Sequence, residues 1–306
     1  MVVVVVVGDR FRVLTDAQWE LLELLLPKSE GRVGRNFSDS RLIVEGLLYR
    51  LRVGGPWRDL PVVFGPWQTV WKRHRRYAAD GTWDKVLIAL AALADVSGDL
   101  DWVASIDTTI VRVHQHGANA ARHTQGAPSN YTNLLDEPAD HGIGRSRGGL
   151  TTKIHLITDG AGRGLSVLIT PGQAGDSPFL GEVLDGVRVP RLGGGAPRTN
   201  PDALLGDKAY SSAANRKLLR RRRIRAVIPE RADQLANRKR KGRDGGRAPS
   251  FDREAYKGRN VVERAFNKAK QWRAVATRYD KLALTYRAGV VMALVVEWLK
   301  LLGDKT

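Results

Sequence analysis

The sequence predicts an α/β fold: a mixed β-sheet with helices on its faces, preceded by an all-helical N-terminal region. Three observations carry this. Residues 15–95 place apolar side chains at helical spacing. Past Gly98 the pattern turns to β-branched and apolar runs. Those runs first form a three-strand meander and then alternate with helices, which implies a mixed sheet covered by helices. Of 306 residues, 42% are hydrophobic, which excludes a wholly disordered basic chain. At roughly 100–200 residues per domain the length suits two domains. These are a helical domain at 1–98 and a sheet-bearing domain at 99–306.

Thr15-Asp16 can cap a first helix with Trp19, Leu22, Leu25 and Leu26 as its stripe. Ser38 can cap a second, with Ile43, Leu47 and Leu51 on one face, ended by Gly54, Gly55 and Pro56. Pro66 suits the start of a third helix, which runs on through Lys72, Arg73, Arg75 and Arg76. This arrangement is compatible with a helix-turn-helix DNA reader, and equally with a plain basic helical bundle. Trp102 to Val113, Thr152 to Thr158 and Leu165 to Thr170 read as the meander, with a hairpin signal at Asp159-Gly160. A helix near Phe179–Leu184, a strand at Ala203–Leu205, a helix at Ser212–Arg222 and a strand at Ile224–Ile228 follow. The basic, glycine-rich stretch 237–249 is expected to be a loop, and helices fill the remainder to about Leu302.

Charge narrows the function. The chain carries 50 Lys and Arg against 32 Asp and Glu, a net charge of +18, which argues for a polyanionic partner, nucleic acid first. The excess is uneven: residues 1–98 are net +3, whereas 216–247 alone are net +11. That run is either a phosphate-binding segment, with Arg238, Lys239, Arg240 and Lys241 at its centre, or a solubilising one. There is no cysteine, which excludes disulfides, cysteine zinc sites and a thiol nucleophile. With six His, a metal would be held by carboxylates, pointing to Mg²⁺ or Mn²⁺. Val2–Val7 lacks a basic flank and is too short for a signal core, and reads as a mis-chosen start. The apolar run Ala288–Val296 is about half a membrane span. A soluble, cytoplasmic protein is expected.

Three carboxylates stand out. Asp107 sits inside the first strand, where an acid is costly unless a partner or cation compensates it; a hydrogen-bonded structural Asp is the plainer reading. Asp207 follows Gly206 just past the end of an apolar strand, where α/β sheets place ligands, though a turn or cap Asp would look the same. Tyr256, Arg259, Glu263 and Lys270, spaced +3, +4 and +7, fall within an arc of roughly 60° if they share one helix, beside the stripe Val262, Phe266 and Ala269. An exposed charged seam is the alternative. Two strand carboxylates and one helical carboxylate are the donor set of two-metal phosphoryl transfer.

At these residues the sequence resembles DDE transposases of bacterial insertion sequences, of the IS-five type in the IS-four/IS-five superfamily. The family signature of Tyr, two residues, Arg, three residues, Glu, six residues, Lys is met by Tyr256, Arg259, Glu263 and Lys270. Trp57-Arg58-Asp59-Leu60-Pro61 with Phe64-Gly65-Pro66-Trp67 resembles its N-terminal helical domain. Ser105-Ile106-Asp107, Gly148 to His155 and Asp207-Lys208-Ala209-Tyr210 resemble its strand motifs, in the family's order. The resemblance implies a ribonuclease-H-like catalytic core and a triad of Asp107, Asp207 and Glu263 holding two Mg²⁺, with Mn²⁺ as a substitute. It implies double-stranded DNA as partner, both terminal inverted repeats and target, and a homodimer on DNA, nucleoid-associated and away from membranes. Tyr256, Arg259 and Lys270 would hold the DNA end. The competing readings are a catalytically silent or domesticated DNA-binding protein and a metal-dependent nuclease without strand transfer.

Other residues carry plainer expectations. His114 and His116 read as a strand end or DNA contact rather than a metal pair, because no third soft ligand is near. Asp159 reads as a turn residue, Asp176 as a helix cap, Glu254 as off the shared face, and Glu297 as an acid that snorkels from an apolar helix.

Overall fold

The computed structural model describes residues 11–28, 39–119 and 137–304. The Val2–Val7 run and the Ser38 cap lie outside them. The first helix, α1 (Asp16–Leu25), is capped as expected: Thr15 accepts from the Gln18 amide, and Gln18 returns the bond to the Thr15 amide. The helix α2 (Ser40–Val53) is capped by Asp39, which accepts from the Arg41 and Leu42 amides, and it ends at Gly54 with φ +72°. A side chain at Gly54 would be strained by that φ and would also meet Arg273 at 3.0 Å. Two 3₁₀ turns, Trp57–Asp59 and Val62–Phe64, lead to α3 (Trp67–Ala79) and α4 (Thr82–Val96). The link between α2 and α3 thus fills residues 54–66, far beyond the three- or four-residue turn of a helix-turn-helix motif. Pro56, Pro61 and Pro66 keep that segment extended or turned by fixing φ.

The sheet begins with β1 (Val103–Val113), followed by the short α5 (Gln115–Ala118), β2 (Gly144–Ser146), β3 (Gly149–Thr158) and β4 (Gly164–Pro171). Then come α6 (Leu180–Asp185), β5 (Ala203–Leu205), α7 (Ala213–Arg221), β6 (Arg225–Val227), α8 (Ala232–Lys241), α9 (Arg253–Lys257), α10 (Asn260–Lys270), α11 (Arg273–Ala276), β7 (Thr277–Arg278) and α12 (Ala283–Gly303). The order β3-β1-β5-β6 forms the spine of the sheet, with β2 and β4 both paired to β3. The meander is antiparallel, and β5 and β6 run parallel to β1 and to each other. This is the mixed sheet of a ribonuclease-H-like fold. The expected strands are all present; β7 and β2, two and three residues long, are too short to leave a periodic signal.

The expected loop at 237–249 is corrected. Residues up to Lys241 continue α8, and a 3₁₀ turn follows at Gly242–Gly245. The density of Arg and Lys suggested solvation, but both are good helix formers, and the helix starts with Gln234 bonded back to the Arg231 amide. Asp176 does not cap its turn; it pairs instead with Lys153 at 2.6 Å. Asp159 is the expected turn residue, fully buried and bonded to the Ala161 and Arg163 amides and the Arg163 side chain. Glu297 reaches the surface and meets Lys268 and Lys300.

The C-terminal helix α12 joins the two regions. It packs on β4 and also on α1, α3 and α4, so it is buried on nearly every face. A single hydrophobic core therefore runs from Leu14 through the sheet to Leu299. This explains why Ala288–Val296 is continuously apolar: it is a shared core helix. No helix among the described residues is long and apolar enough to cross a membrane. Trp298 is fully buried in α12 and donates its indole N–H to the Gly164 carbonyl at 2.9 Å. Trp298→Ala should cost about 3–5 kcal/mol, the usual loss for a buried large aromatic. Because both regions share this core, urea unfolding followed by far-ultraviolet circular dichroism and by tryptophan fluorescence should shift together.

Candidate active site

The site forms where β5 ends. The parallel pairing of β1 with β5 places Ser105 opposite Leu205 and stops there. Two residues further in the same register come Asp107 and Asp207. The chain turns out of the sheet through Gly206, where an added Cβ would lie 3.2 Å from Ile106 and 3.3 Å from Tyr210. Glycine is needed here for close packing. Asp207 then caps the 3₁₀ turn Lys208–Tyr210 by accepting from the Ala209 amide at 2.8 Å. On the other side, β3 covers β1 through Arg112, while β7 rejoins β1 only at Arg112 and Val113. Residues 107–111 of β1 therefore have a strand neighbour on one side alone among the described residues.

The helix α10 closes this notch. Val261, Val262, Ala265, Phe266 and Ala269 are buried, which includes the stripe read from the sequence. The expectation that Tyr256, Arg259, Glu263 and Lys270 share one helix is corrected. The chain breaks at Gly258: Tyr256 belongs to α9, Arg259 is the N-cap of α10, and Glu263 and Lys270 lie on α10. The break lets α9 pack Ala255 and Tyr256 against Val103, Ala203, Leu205 and Val227, while α10 packs on β1 and β3.

Asp107 and Glu263 meet through Arg259. The guanidinium donates to Asp107 Oδ2 at 2.7 Å and to Glu263 Oε1 at 2.8 Å. The second Asp107 oxygen accepts from the Thr108 amide at 2.8 Å. Burial pushes the Asp107 carboxyl up, and the nearby charges of Asp207 and Glu263 push the same way; the Thr108 amide and Arg259 only partly oppose them. Arg259 is held above its ordinary value by Asp107, Tyr256 and Glu263, against its own desolvation. Lys270 Nζ donates to Thr109 Oγ1 at 2.6 Å and reaches the Ile110 carbonyl at 3.5 Å, on the uncovered stretch of β1. Burial lowers its basicity. Thr109 was not singled out in the sequence, since a threonine in a strand has no distinguishing spacing.

These carboxylates suit a divalent cation by chemistry. They are hard oxygen donors from separate elements, and a guanidinium already supplies positive charge between two of them. Among the described residues no three His, Asp or Glu side chains are drawn together as a ready metal cluster.

The transposase DDE domain family matches residues 98–296, about two thirds of the chain. The chain belongs to this family. A further family, described as "Putative transposase of IS4/5 family", matches residues 14–87 and places the transposase in the IS4/5 type. The "Uncharacterized protein y4sN" of Sinorhizobium fredii is 40% identical over 114 residues, covering 37% of this chain and 86% of its own length. An "Insertion element IS402 uncharacterized 16.2 kDa protein" of Burkholderia cepacia is 33% identical over 107 residues, 33% of this chain and 73% of its own. A "Putative transposase for insertion sequence element IS6501" of Brucella ovis is 28% identical over 151 residues, 49% of this chain and 100% of its own. No solved structure matches the chain.

The basic side chains of the transposase divide by exposure. Lys72 and Arg76 are exposed on α3, and Arg75 is half-buried with its guanidinium over the Trp71 ring. Arg73 is corrected as a DNA contact: it is buried and donates to the Tyr77 hydroxyl at 3.2 Å, because α3 turns Val70, Arg73, His74 and Tyr77 into the core. Arg238 is spent on Glu230, which it grips with both terminal nitrogens. Lys239, Arg240 and Lys241 remain exposed along α8. The His114 and His116 rings lie 4.8 Å apart, tilted by 44°, and His114 also lies against Tyr279 at 4.9 Å.

The raised Asp107 carboxyl should also make stability depend on pH. An acid whose pKa is raised on folding costs stability when ionised; the cost is present above the folded value and absent below the ordinary value of about 3.9. Asp107→Asn in metal-free buffer should therefore raise the urea midpoint at pH 7, and the gain should vanish near pH 4. Equal midpoints at both pH values would show that Arg259 fully compensates the charge.

Proposed function

We propose that this transposase cuts DNA at insertion-sequence ends and joins the freed 3′-hydroxyl to target DNA, using Asp107, Asp207 and Glu263 as its acid triad. The observation that carries this is that the parallel pairing of β1 and β5 ends two residues before Asp107 and Asp207, that the Asp207 charge acts on Asp107, and that Glu263 is tied to Asp107 through Arg259. These three residues would hold two divalent cations, Mg²⁺ or Mn²⁺, which when bound lower the pKa of an attacking hydroxyl and neutralise the leaving oxygen.

The chain's own contribution is positioning. One oxygen of Asp107 is fixed by the Thr108 amide and one of Asp207 by the Ala209 amide, which limits how far either carboxylate must turn before reaction. Arg259 uses its two terminal nitrogens to hold Asp107 and Glu263, so its planar fork would meet a phosphate only after a cation takes over those carboxylates. Lys270 uses part of its donor capacity to pin α10 to β1 and has donor capacity left for DNA. Tyr256, packed by Phe251 at 5.2 Å, borders the same acids. A homodimer on paired ends would bring two such sites together.

The deciding experiment incubates the protein with linear DNA bearing the element's ends and Mg²⁺, and scores nicked and joined products. Asp107→Asn, Asp207→Asn and Glu263→Gln should each abolish both products while DNA binding by gel shift stays near wild type. A variant that still nicks at the wild-type rate leaves the triad; nicking without joined products from wild type would mark a nuclease, and neither product a silent DNA binder.

Sequence-independent affinity is assigned to α8. Neutralising Lys239, Arg240 and Lys241 to Gln should weaken specific and random duplexes alike, and should flatten the slope of log K against log salt by about 0.9 for each phosphate no longer neutralised. Weakening confined to end-bearing DNA would instead make α8 a sequence reader.

A further inference from the structure

A cleft of about 980 Å³ opens past the C-terminal end of β1, between the helical region and the sheet. It is lined by α3, the end of α2, the residues after β1 and the segment leading into α12. Four of its walls are aromatic: Trp57, Trp67, Trp71 and Tyr279. Trp57, Trp67 and Tyr279 lean on the hydrophobic core, but Trp71 stands outside both core clusters. Its indole is half-buried with Arg75 as its ring partner.

The charges around these rings are of one sign at the surface. The deep cation, Arg50, is neutralised by Asp280 at 3.1 Å and lies over the Trp57 ring at 4.6 Å. Arg58, Arg75 and Lys281 line the same cleft and form no ion pair with a carboxylate among the described residues. Beneath Trp57, Arg50 Nε and His74 Nδ1 are buried without hydrogen-bond partners. Cations free of carboxylates sit beside the rings, Arg58 over Trp67 at 5.9 Å and Arg75 over Trp71 at 5.8 Å, and cations set among aromatic rings are the chemistry of single-stranded nucleic acid binding: phosphates meet the cations and unstacked bases lie on the ring faces the cations leave.

We propose that this cleft is a second DNA site, which takes unpaired nucleotides of the substrate strand, base against Trp71 and phosphates against Arg58, Arg75 and Lys281. The assignment rests on the DNA-cutting reading of the protein. An acidic peptide would satisfy the cations but would leave the rings unused. An intact duplex hides its base faces inside the stack, so the rings engage only nucleotides already unpaired or drawn out of the helix. The volume falls in the range of sites that enclose a small ligand, room for a base with its sugar rather than for a duplex.

The test uses a single-stranded oligodeoxynucleotide containing 2-aminopurine, the same oligonucleotide as a full duplex, and the whole chain. Wild-type protein should quench the single-stranded probe on binding. Trp71→Ala should lose that quenching and about tenfold in single-strand affinity, with duplex affinity changed less than twofold. Trp71→Phe, which keeps a stacking face, should restore most of both. Arg58→Gln provides an independent measure: its single-strand salt slope should be flatter by about 0.7, the equivalent of one phosphate. Wild-type quenching and affinity in Trp71→Ala, or equal losses on single strand and duplex, would overturn the proposal, as would an unchanged salt slope in Arg58→Gln. Failure of the cleavage reading is separately visible, since wild-type protein would then release no nicked product while these binding results stood.

Discussion

Carboxylates set into a hydrophobic sheet repel one another and lose hydration, so something positive must answer them. Arg259 does this by spanning Asp107 and Glu263 from the N-cap of α10. Much of the local architecture follows from that requirement. α10 must start where its N-cap can reach β1, and the chain must break at Gly258 so that Tyr256 can serve a different surface. Even with Arg259 in place the Asp107 carboxyl is raised from its ordinary value, because burial outweighs the compensation.

The notch exists because neighbouring strands differ in length. β1 runs for eleven residues, whereas β5 and β6 have three each. Where a short strand stops, the long one exposes backbone and side chains that its partner would have covered, and ligands collect at such strand ends. Lys270 and α10 occupy part of the uncovered stretch, and Asp207 borders its beginning.

Shared burial on α12 makes the helical and sheet regions mechanically continuous. Arg287 on that helix pairs with Asp84 of α4 and donates to the Val167 carbonyl of β4, so polar contacts reinforce the apolar ones. The aromatic cleft lies on the same seam, past the C-terminal end of β1, whereas Asp107 sits inside that strand. One strand thus links a charged notch to an aromatic, cationic groove, and both stay fixed relative to each other because β1 is paired along β3 for most of its length.

Sequence alone determined a great deal. Helical spacing at 15–95, the three-strand meander, Asp107 in a core strand, Asp207 past an apolar strand and the spacing of Tyr256, Arg259, Glu263 and Lys270 are local patterns, and local patterns survive in one dimension. What the sequence could not decide depends on contacts between distant segments. Arg73 and Lys72 are neighbours with the same charge, and only packing on α12 sends one inward and leaves the other in water. Arg238 and Lys239 are separated in the same way by Glu230. The break at Gly258, invisible to a periodicity argument, follows from two helices seeking different faces of the sheet. The cleft gathers Trp57, Trp71, His114 and Tyr279 from four parts of the chain. Each carries an ordinary local signal, and their meeting is a consequence of tertiary burial, which rewards the sum of apolar contacts and not the order of residues.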